Sequence, residues 1–302
     1  MHYNTEELFP PHIFDPPQEA IDHILPHLVW PQRTLHVLGK RAHGHNTIYD
    51  LGDGRVLKTG PTVSFDEAKA MIFVRAHTNI PIPKVYMVFN HRGSTHIVME
   101  RIDGVALREA QKYDAQGRYA PDSALASTDG LRSIMRELRH FIGELRDLGR
   151  RFPSKEPQYG SWPSGLYRNS YFASDLPAAP FQTVSEFHDY WLKRLDKTDN
   201  DAETYEDLQR LLSGSACHAS TPVLCHGDLA PRNILVKDDR IVGIVDWETF
   251  GWYPAFWEEM AARNELMTKR LSEAQRDTFG EISWESEIGV YLRVYSYVTA
   301  LL

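Results

Sequence analysis

Residues 225–249 read CHGDLAPRNILVKDDRIVGIVDWET, and the order of polar groups in this stretch decides how the rest of the chain is read. His226-Gly227-Asp228 is followed five residues after the aspartate by Asn233, then by an apolar strand, a turn at Asp238-Asp239, a second strand and Asp246. The spacing puts a carboxylate and an amide on one loop and a second carboxylate at the end of a neighbouring hairpin strand. Two acidic oxygens and an amide oxygen converging at a loop suit Mg²⁺, a hard cation that keeps some waters for a phosphate to replace. A phosphoryl donor is the natural co-ligand.

Working upstream, TLHVLG, NTIYDLG and RVLKTG are short runs separated by glycine, as in a strand meander turning at Asp53-Gly54. The segment SFDEAKAMIFVRAHT predicts a helix, with Ser64 as N-cap and Glu67 at the capping-box spacing. PKVYMVF and HIVME then alternate as strands around the Asn90–Ser94 turn, so residues up to about 100 make a small antiparallel sheet with one helix. Residues 1–33, rich in Pro and His, read as a lead-in with one helical piece, QEAIDHILPHL. After Asp103-Gly104 the periodicity becomes helical near 127–149, 184–197 and 202–213, interrupted by the short apolar runs Val223–Cys225 and Ile241–Val245. We expect an α+β protein of two parts, 1–103 and 104–302, with no internal repeat.

Composition limits the function classes. The chain has 302 residues, 42% apolar and 25% charged, which excludes a disordered or collagen-like protein. A net charge of −8 without a basic stripe argues against a nucleic-acid partner. Acidic residues outnumber basic ones 30 to 23 in 104–302 and only 11 to 10 in 1–103. Two cysteines, Cys217 and Cys225, suit a reducing compartment. The N-terminus lacks the pattern of a signal peptide, and no apolar run reaches the length of a membrane span. A cytoplasmic location without a membrane partner is therefore expected.

The spacing of Asp228, Asn233 and Asp246 is similar to the kinase catalytic loop and its following metal-binding aspartate. With RVLKTG, DEAKAMIFVRAHTNIPIPKVY and HIVMERIDG upstream, the run CHGDLAPRNILVKDDRIVGIVDWETFGWYPAFWE resembles the aminoglycoside phosphotransferase family in the broad sense that includes choline-kinase-like enzymes, its fungal branch most closely. The resemblance covers roughly residues 34–260. It implies a two-lobed protein-kinase-like fold, with a small antiparallel-sheet N-lobe, a mainly helical C-lobe, and ATP bound between them. The implied activity is ATP-dependent phosphorylation of a small-molecule hydroxyl. Asp228 would be the catalytic base, and Asn233 and Asp246 would hold Mg²⁺. Lys58 would contact the α and β phosphates, with Glu67 pairing to it, and backbone groups near Met99, Glu100 and Ile102 would receive adenine.

Three departures shape that expectation. Gly227 stands where a protein kinase has Arg, and Asp246 is followed by Trp-Glu, so no phosphorylation switch is expected. Too few residues separate Asp246 from Tyr253-Pro254 for an activation segment, which disfavours a protein substrate. The phosphate loop, LGKRAHGHN, carries only Gly39 and Gly44 instead of a G-x-G-x-x-G pattern, leaving Gly44, His45 and Asn46 as its candidates. Alternatives stay open: a nucleotide-binding module without transfer activity, or the same site reused for other natural-product chemistry. Residue roles stay open as well. His226 reads as a residue that holds the loop, and Asp238-Asp239 as a hairpin turn only. Arg232 either helps to neutralise phosphate or makes a surface contact. Glu248 either orients a metal-bound water or caps a helix. Trp247, Trp252, Tyr253 and Trp257 read as core, with an acceptor-facing wall as the alternative. The identity of the acceptor is not legible.

Overall fold

The run RVLKT at 55–59 forms a strand whose residues point alternately to two covered faces, and the first part of the chain is built around it. The computed structural model describes residues 8–28, 37–40, 46–114, 116, 118–120, 125–154, 158–168, 176–196, 206, 210, 221–263, 268–281, 288–289 and 291–292. Two compact units emerge, Met1–Asp103 with Gly243–Glu248, and Gly104–Val242 with Thr249–Leu302. The return of 243–248 to the first unit is not apparent from the sequence.

In the first unit, β1 (Val37–Lys40), β2 (Thr47–Asp50), β3 (Arg55–Thr59), β4 (Val85–His91) and β5 (Ser94–Glu100) form an antiparallel sheet in the order β1-β2-β3-β5-β4. Cross-strand partners share a face of the pleat, so Leu57 with Val98 marks one side and Lys58 with Ile97 the other. On the first side Leu57, Met87, Phe89 and Val98 pack against Ile24, Ala20, Ile21 and Leu25 from helix α2 (Gln18–Ile24) and the turn after it. The short α1 (Pro11–Phe14) packs on β4. The lead-in segment is thus a cover for the sheet. Burying side chains of this kind stabilises by roughly 1.5–3 kcal/mol each.

Helix α3 (Phe65–His77) begins as expected, the Ser64 hydroxyl accepting from the Glu67 amide at 3.3 Å. The carboxylate of Glu67 points to Lys58, however, so only half of a capping box forms.

The second unit contains β6 (Val105–Ala106) and α4 (Leu107–Ala110), and is dominated by the 24-residue helix α5 (Thr128–Arg151). Its buried stripe is Leu131, Ile134, Met135, Leu138, Phe141, Ile142, Leu145 and Leu148, the 3-and-4 spacing of a core-facing helix. Ser127 caps it and is itself held by Asp239, whose carboxylate accepts from the Ser127 hydroxyl at 2.9 Å. The Asp238-Asp239 pair does make the hairpin turn, with φ of +50° and +58°, but Asp239 also anchors a helix start. Two small sheets follow, β7 (Gly160–Ser161) with β8 (Val223–Cys225) and β11 (Gly251–Tyr253) in the order β7-β11-β8, and β9 (Ile234–Lys237) with β10 (Arg240–Ile244) in the order β10-β9-β6. Helix α6 (Val184–Asp196) contributes Phe187 and Trp191 to an aromatic core with Tyr159, Tyr167, Tyr253 and Trp257. Trp247 and Trp252 are buried too, so all four aromatics singled out in the sequence pack inward. Helices α7 (Trp257–Arg263) and α8 (Lys269–Phe279) follow, and Tyr291 beyond them is buried in the same aromatic core. Of the expected helix at 202–213, only residues 206 and 210 are described. Among the described residues no helix is long and apolar enough to cross a membrane.

Candidate active site

The first unit gathers one cation and three carboxylates. Lys58, on β3, donates to Glu67 Oε1 at 2.5 Å and to Asp246 Oδ1 at 2.8 Å, and both Lys58 and Glu67 are almost fully buried. Burial pushes the Lys58 ammonium down, but Asp246, Glu67 and Glu248 together outweigh it and hold its pKa above the ordinary value. Lys58 is therefore charged at every physiological pH. Glu248 is also buried, its Oε2 accepting from Thr62 Oγ1 at 2.6 Å and Asn46 Nδ2 at 3.1 Å. Desolvation, reinforced by Asp246 and opposed by Lys58, raises the Glu248 carboxyl to about 7. Asp246 adopts φ +70°, a left-handed conformation that Asp tolerates better than most residues but that costs about 1–2 kcal/mol. Its segment is tied down by the Ile244 amide, which donates to the Pro81 carbonyl at 2.8 Å, and by the Trp247 indole, which donates to the Ile244 carbonyl at 2.9 Å.

The second unit carries the loop between β8 and β9. Gly227 has φ +88°, and a Cβ there would stand 2.7 Å from the Thr249 carbonyl and 3.0 Å from the Tyr253 ring. Only glycine fits, which explains the departure from the kinase arginine. The loop is held from behind by neutral groups: Trp257 Nε1 donates to the Gly227 carbonyl at 2.9 Å, and Thr249 Oγ1 to the His226 carbonyl at 3.0 Å. Tyr253 in turn donates to the Thr249 carbonyl at 2.7 Å. His226 is fully buried, and the Asp228 amide donates to its Nδ1 at 3.3 Å, a loop-holding arrangement. Behind the loop lies a buried acid, Glu258, which accepts from the Gly227 amide at 3.3 Å. Burial raises its carboxyl to about 7 against the opposing pull of Cys225, the Gly227 and His226 amides and Arg146.

Within this loop the side chains of Asp228, Arg232 and Asn233 meet. One Arg232 nitrogen donates to both Asp228 oxygens, at 2.6 and 2.7 Å. Asn233 Nδ2 donates to the Asp228 carbonyl at 2.8 Å and to its Oδ2 at 3.1 Å, which turns the amide oxygen the other way. An amide oxygen from Asn233 and a carboxylate from Asp246 are the hard oxygen donors that Mg²⁺ takes, so the residue types fit such an ion.

Of the residues expected from sequence, Lys58, Glu67 and Asp246 come together in the first unit, and Asp228 with Asn233 in the second. Asn46 is buried at the start of β2 with its side chain committed to Thr62 and Glu248. Met99 and Glu100 lie within β5, the Glu100 amide donating to the Lys84 carbonyl at 2.9 Å, whereas Ile102 lies beyond the strand. Gly44 and His45 fall outside the described residues. Sequence reasoning missed Thr62 and Glu258. Thr62 lies outside the runs singled out, and Glu258 closes the longest of them without having been given a role.

Three comparisons set these observations beside known proteins. The model of the phosphotransferase enzyme family, APH, matches residues 43–284. A search of curated protein sequences found no match. Among solved structures, a thermostable mutant of aminoglycoside phosphotransferase APH(4)-Ia in ternary complex with ADP and hygromycin B superposes with a TM-score of 0.57 at 15% identity, over 93% of this chain and 89% of that one. The GDP complex of an aminoglycoside 2′-phosphotransferase-IIIa mutant gives 0.55 at 14% identity, over 93% and 86%. Macrolide 2′-phosphotransferase MphH from Brachybacterium faecium gives 0.51 at 14% identity, over 94% and 93%. Likeness at these identities speaks for the fold, a kinase-like one.

Proposed function

The chain belongs to the phosphotransferase enzyme family, and from that premise we propose that it transfers the γ-phosphoryl group of ATP to a hydroxyl of a small molecule, with Mg²⁺ as the cation. The observation that carries this reading is the interlock of Lys58 with Glu67 and Asp246. A buried lysine held between two carboxylates is an expensive arrangement for stability alone, and it is the arrangement that phosphoryl transfer requires for positioning phosphates. Lys58 would contact the α and β phosphates while Glu67 holds its ammonium in place. Asn233 and Asp246 would hold Mg²⁺, which when bound neutralises charge on the phosphate oxygens. The Asp228 carboxylate would accept the proton of the acceptor hydroxyl. Arg232, which donates to both Asp228 oxygens, would keep that carboxylate oriented. Backbone near Ile102 would receive the adenine, and a free small molecule in water is the expected acceptor.

Calorimetric titration of the full chain with ATP, and separately with GTP, with and without Mg²⁺, tests the reading. ATP binding that strengthens with Mg²⁺ is expected. Asp228→Asn should keep that binding and lose transfer by roughly 10²–10⁴-fold in a hydroxyl-acceptor screen. Absence of nucleotide binding in every condition would sink the proposal.

A further inference from the structure

Asn46 was a phosphate-loop candidate and Glu248 a candidate for metal-bound water or a helix cap, yet the structure commits both to another task. Asn46 Nδ2 donates to Thr62 Oγ1 at 2.7 Å and to Glu248 Oε2 at 3.1 Å, while its Oδ1 lies 3.4 Å from the Thr62 amide. Thr62 completes the triangle by donating its hydroxyl to the same Glu248 oxygen at 2.6 Å. Thr62 Oγ1 therefore accepts from one partner and donates to the other, which uses the hydroxyl as both donor and acceptor. Gly60, two residues earlier, makes the approach possible. A Cβ at that position would stand 2.3 Å from Asn46 Oδ1 and 2.6 Å from Asn46 Cα, so no larger residue lets the turn close on β2.

The three residues come from places far apart in the chain: the start of β2, the turn between β3 and α3, and the segment that carries Asp246. Asp246 is thereby bracketed. Its own carboxylate is held by Lys58, and two residues later Glu248 is held by Asn46 and Thr62. Asp246 sits in a left-handed backbone conformation, which persists only where the surroundings over-determine it.

We propose that Asn46, Thr62 and Glu248 form a positioning clamp that fixes the Asp246 segment against the beginning of β2, so that the metal-holding carboxylate and the strand leaving the phosphate loop keep one register. The clamp acts through Asp246 and touches no substrate, and its consequence for Mg²⁺ rests on the phosphotransferase reading. Removing the Thr62 hydroxyl leaves the Asn46 amide and the buried Glu248 carboxylate each short of a partner, and the segment loses its anchor.

The test compares Thr62→Val with Thr62→Ser in the full chain. In the nucleotide-free protein, hydrogen exchange at residues 46–50 and 243–249 should rise together by roughly tenfold in Thr62→Val, the scale of one lost charge-assisted hydrogen bond, and stay near the wild-type rate in Thr62→Ser. The factor by which Mg²⁺ strengthens ADP binding should fall by a similar amount in Thr62→Val and recover in Thr62→Ser, whereas affinity for metal-free ADP stays unchanged. A general loosening lowers the melting temperature without selecting that ratio. Unchanged exchange at the two segments in Thr62→Val, or a rise spread evenly over the first unit, overturns the clamp. A wild-type protein with no affinity for ADP instead overturns the phosphotransferase reading, and the exchange comparison then decides the clamp alone.

Discussion

The Lys58 cluster of the first unit and the Asp228 loop of the second are built on opposite principles. Around Lys58 a single ammonium faces Glu67, Asp246 and Glu248 in a nearly dry environment, so its geometry is a matter of charge balance. Around Asp228 the backbone is fixed by Trp257, Thr249 and Tyr253, three neutral donors on an aromatic core, and by a glycine that no other residue can replace. Charge balance fails abruptly when one member is removed, since the others remain buried and uncompensated. A loop held by many neutral hydrogen bonds degrades in small steps. The two regions should therefore respond differently to substitution and to pH.

The largest effect belongs to the first region. Lys58→Met should destabilise the fold by roughly 3–5 kcal/mol, because three carboxylates lose the buried cation they face. Urea unfolding monitored by tryptophan fluorescence measures this, and a variant of wild-type stability would mean that the cluster is hydrated and its charges screened.

Next in size is a pH effect behind the second region's loop. Glu258 holds its proton more tightly in the folded state, at about 7 against an ordinary 4.5. Its stabilising contribution is therefore fully present below pH 4.5 and is lost as pH rises through 7, by about 3 kcal/mol for a shift of that size. Melting temperatures of Glu258→Gln between pH 4.5 and 8 should show a shallower decline than wild type. Identical slopes in the two proteins would place the wild-type decline elsewhere.

The smallest change is Trp257→Phe, which keeps a ring in the core and removes the indole donor to Gly227. A stability loss of about 1 kcal/mol is expected, with kcat falling several-fold and nucleotide affinity unaltered. Equal losses in kcat and in nucleotide affinity would show that the indole supports more than its own loop.

What could be read from the sequence was whatever short spacing encodes. Asp228, Asn233 and Asp246 are intelligible together because a loop and a hairpin fix their order. Ser64 announces a helix because its partner is three residues away. Thr62, Glu248 and Asn46 escape such reading, since a threonine hydroxyl acquires its meaning only from residues 16 and 186 positions distant. Glu67 carried two expectations at once, a capping box from its spacing and a pairing with Lys58 from the family resemblance, and its carboxylate accepts from Lys58. The cover over the sheet was half visible. Leu57, Met87 and Val98 are apolar on the face opposite Lys58, and a sheet that is apolar on both sides must be covered on both. Nothing in the sequence said that the proline-rich lead-in supplies the cover.

That cover bears on how the protein can be handled. The matched family region begins at residue 43, so a fragment trimmed to it looks complete on paper. Such a fragment would leave Leu57, Met87, Phe89 and Val98 bare on one contiguous sheet surface, the kind of patch through which chains adhere to one another. Residues 11–25 serve this fold as a built-in solubiliser, and the working length of the molecule is longer than its recognisable one.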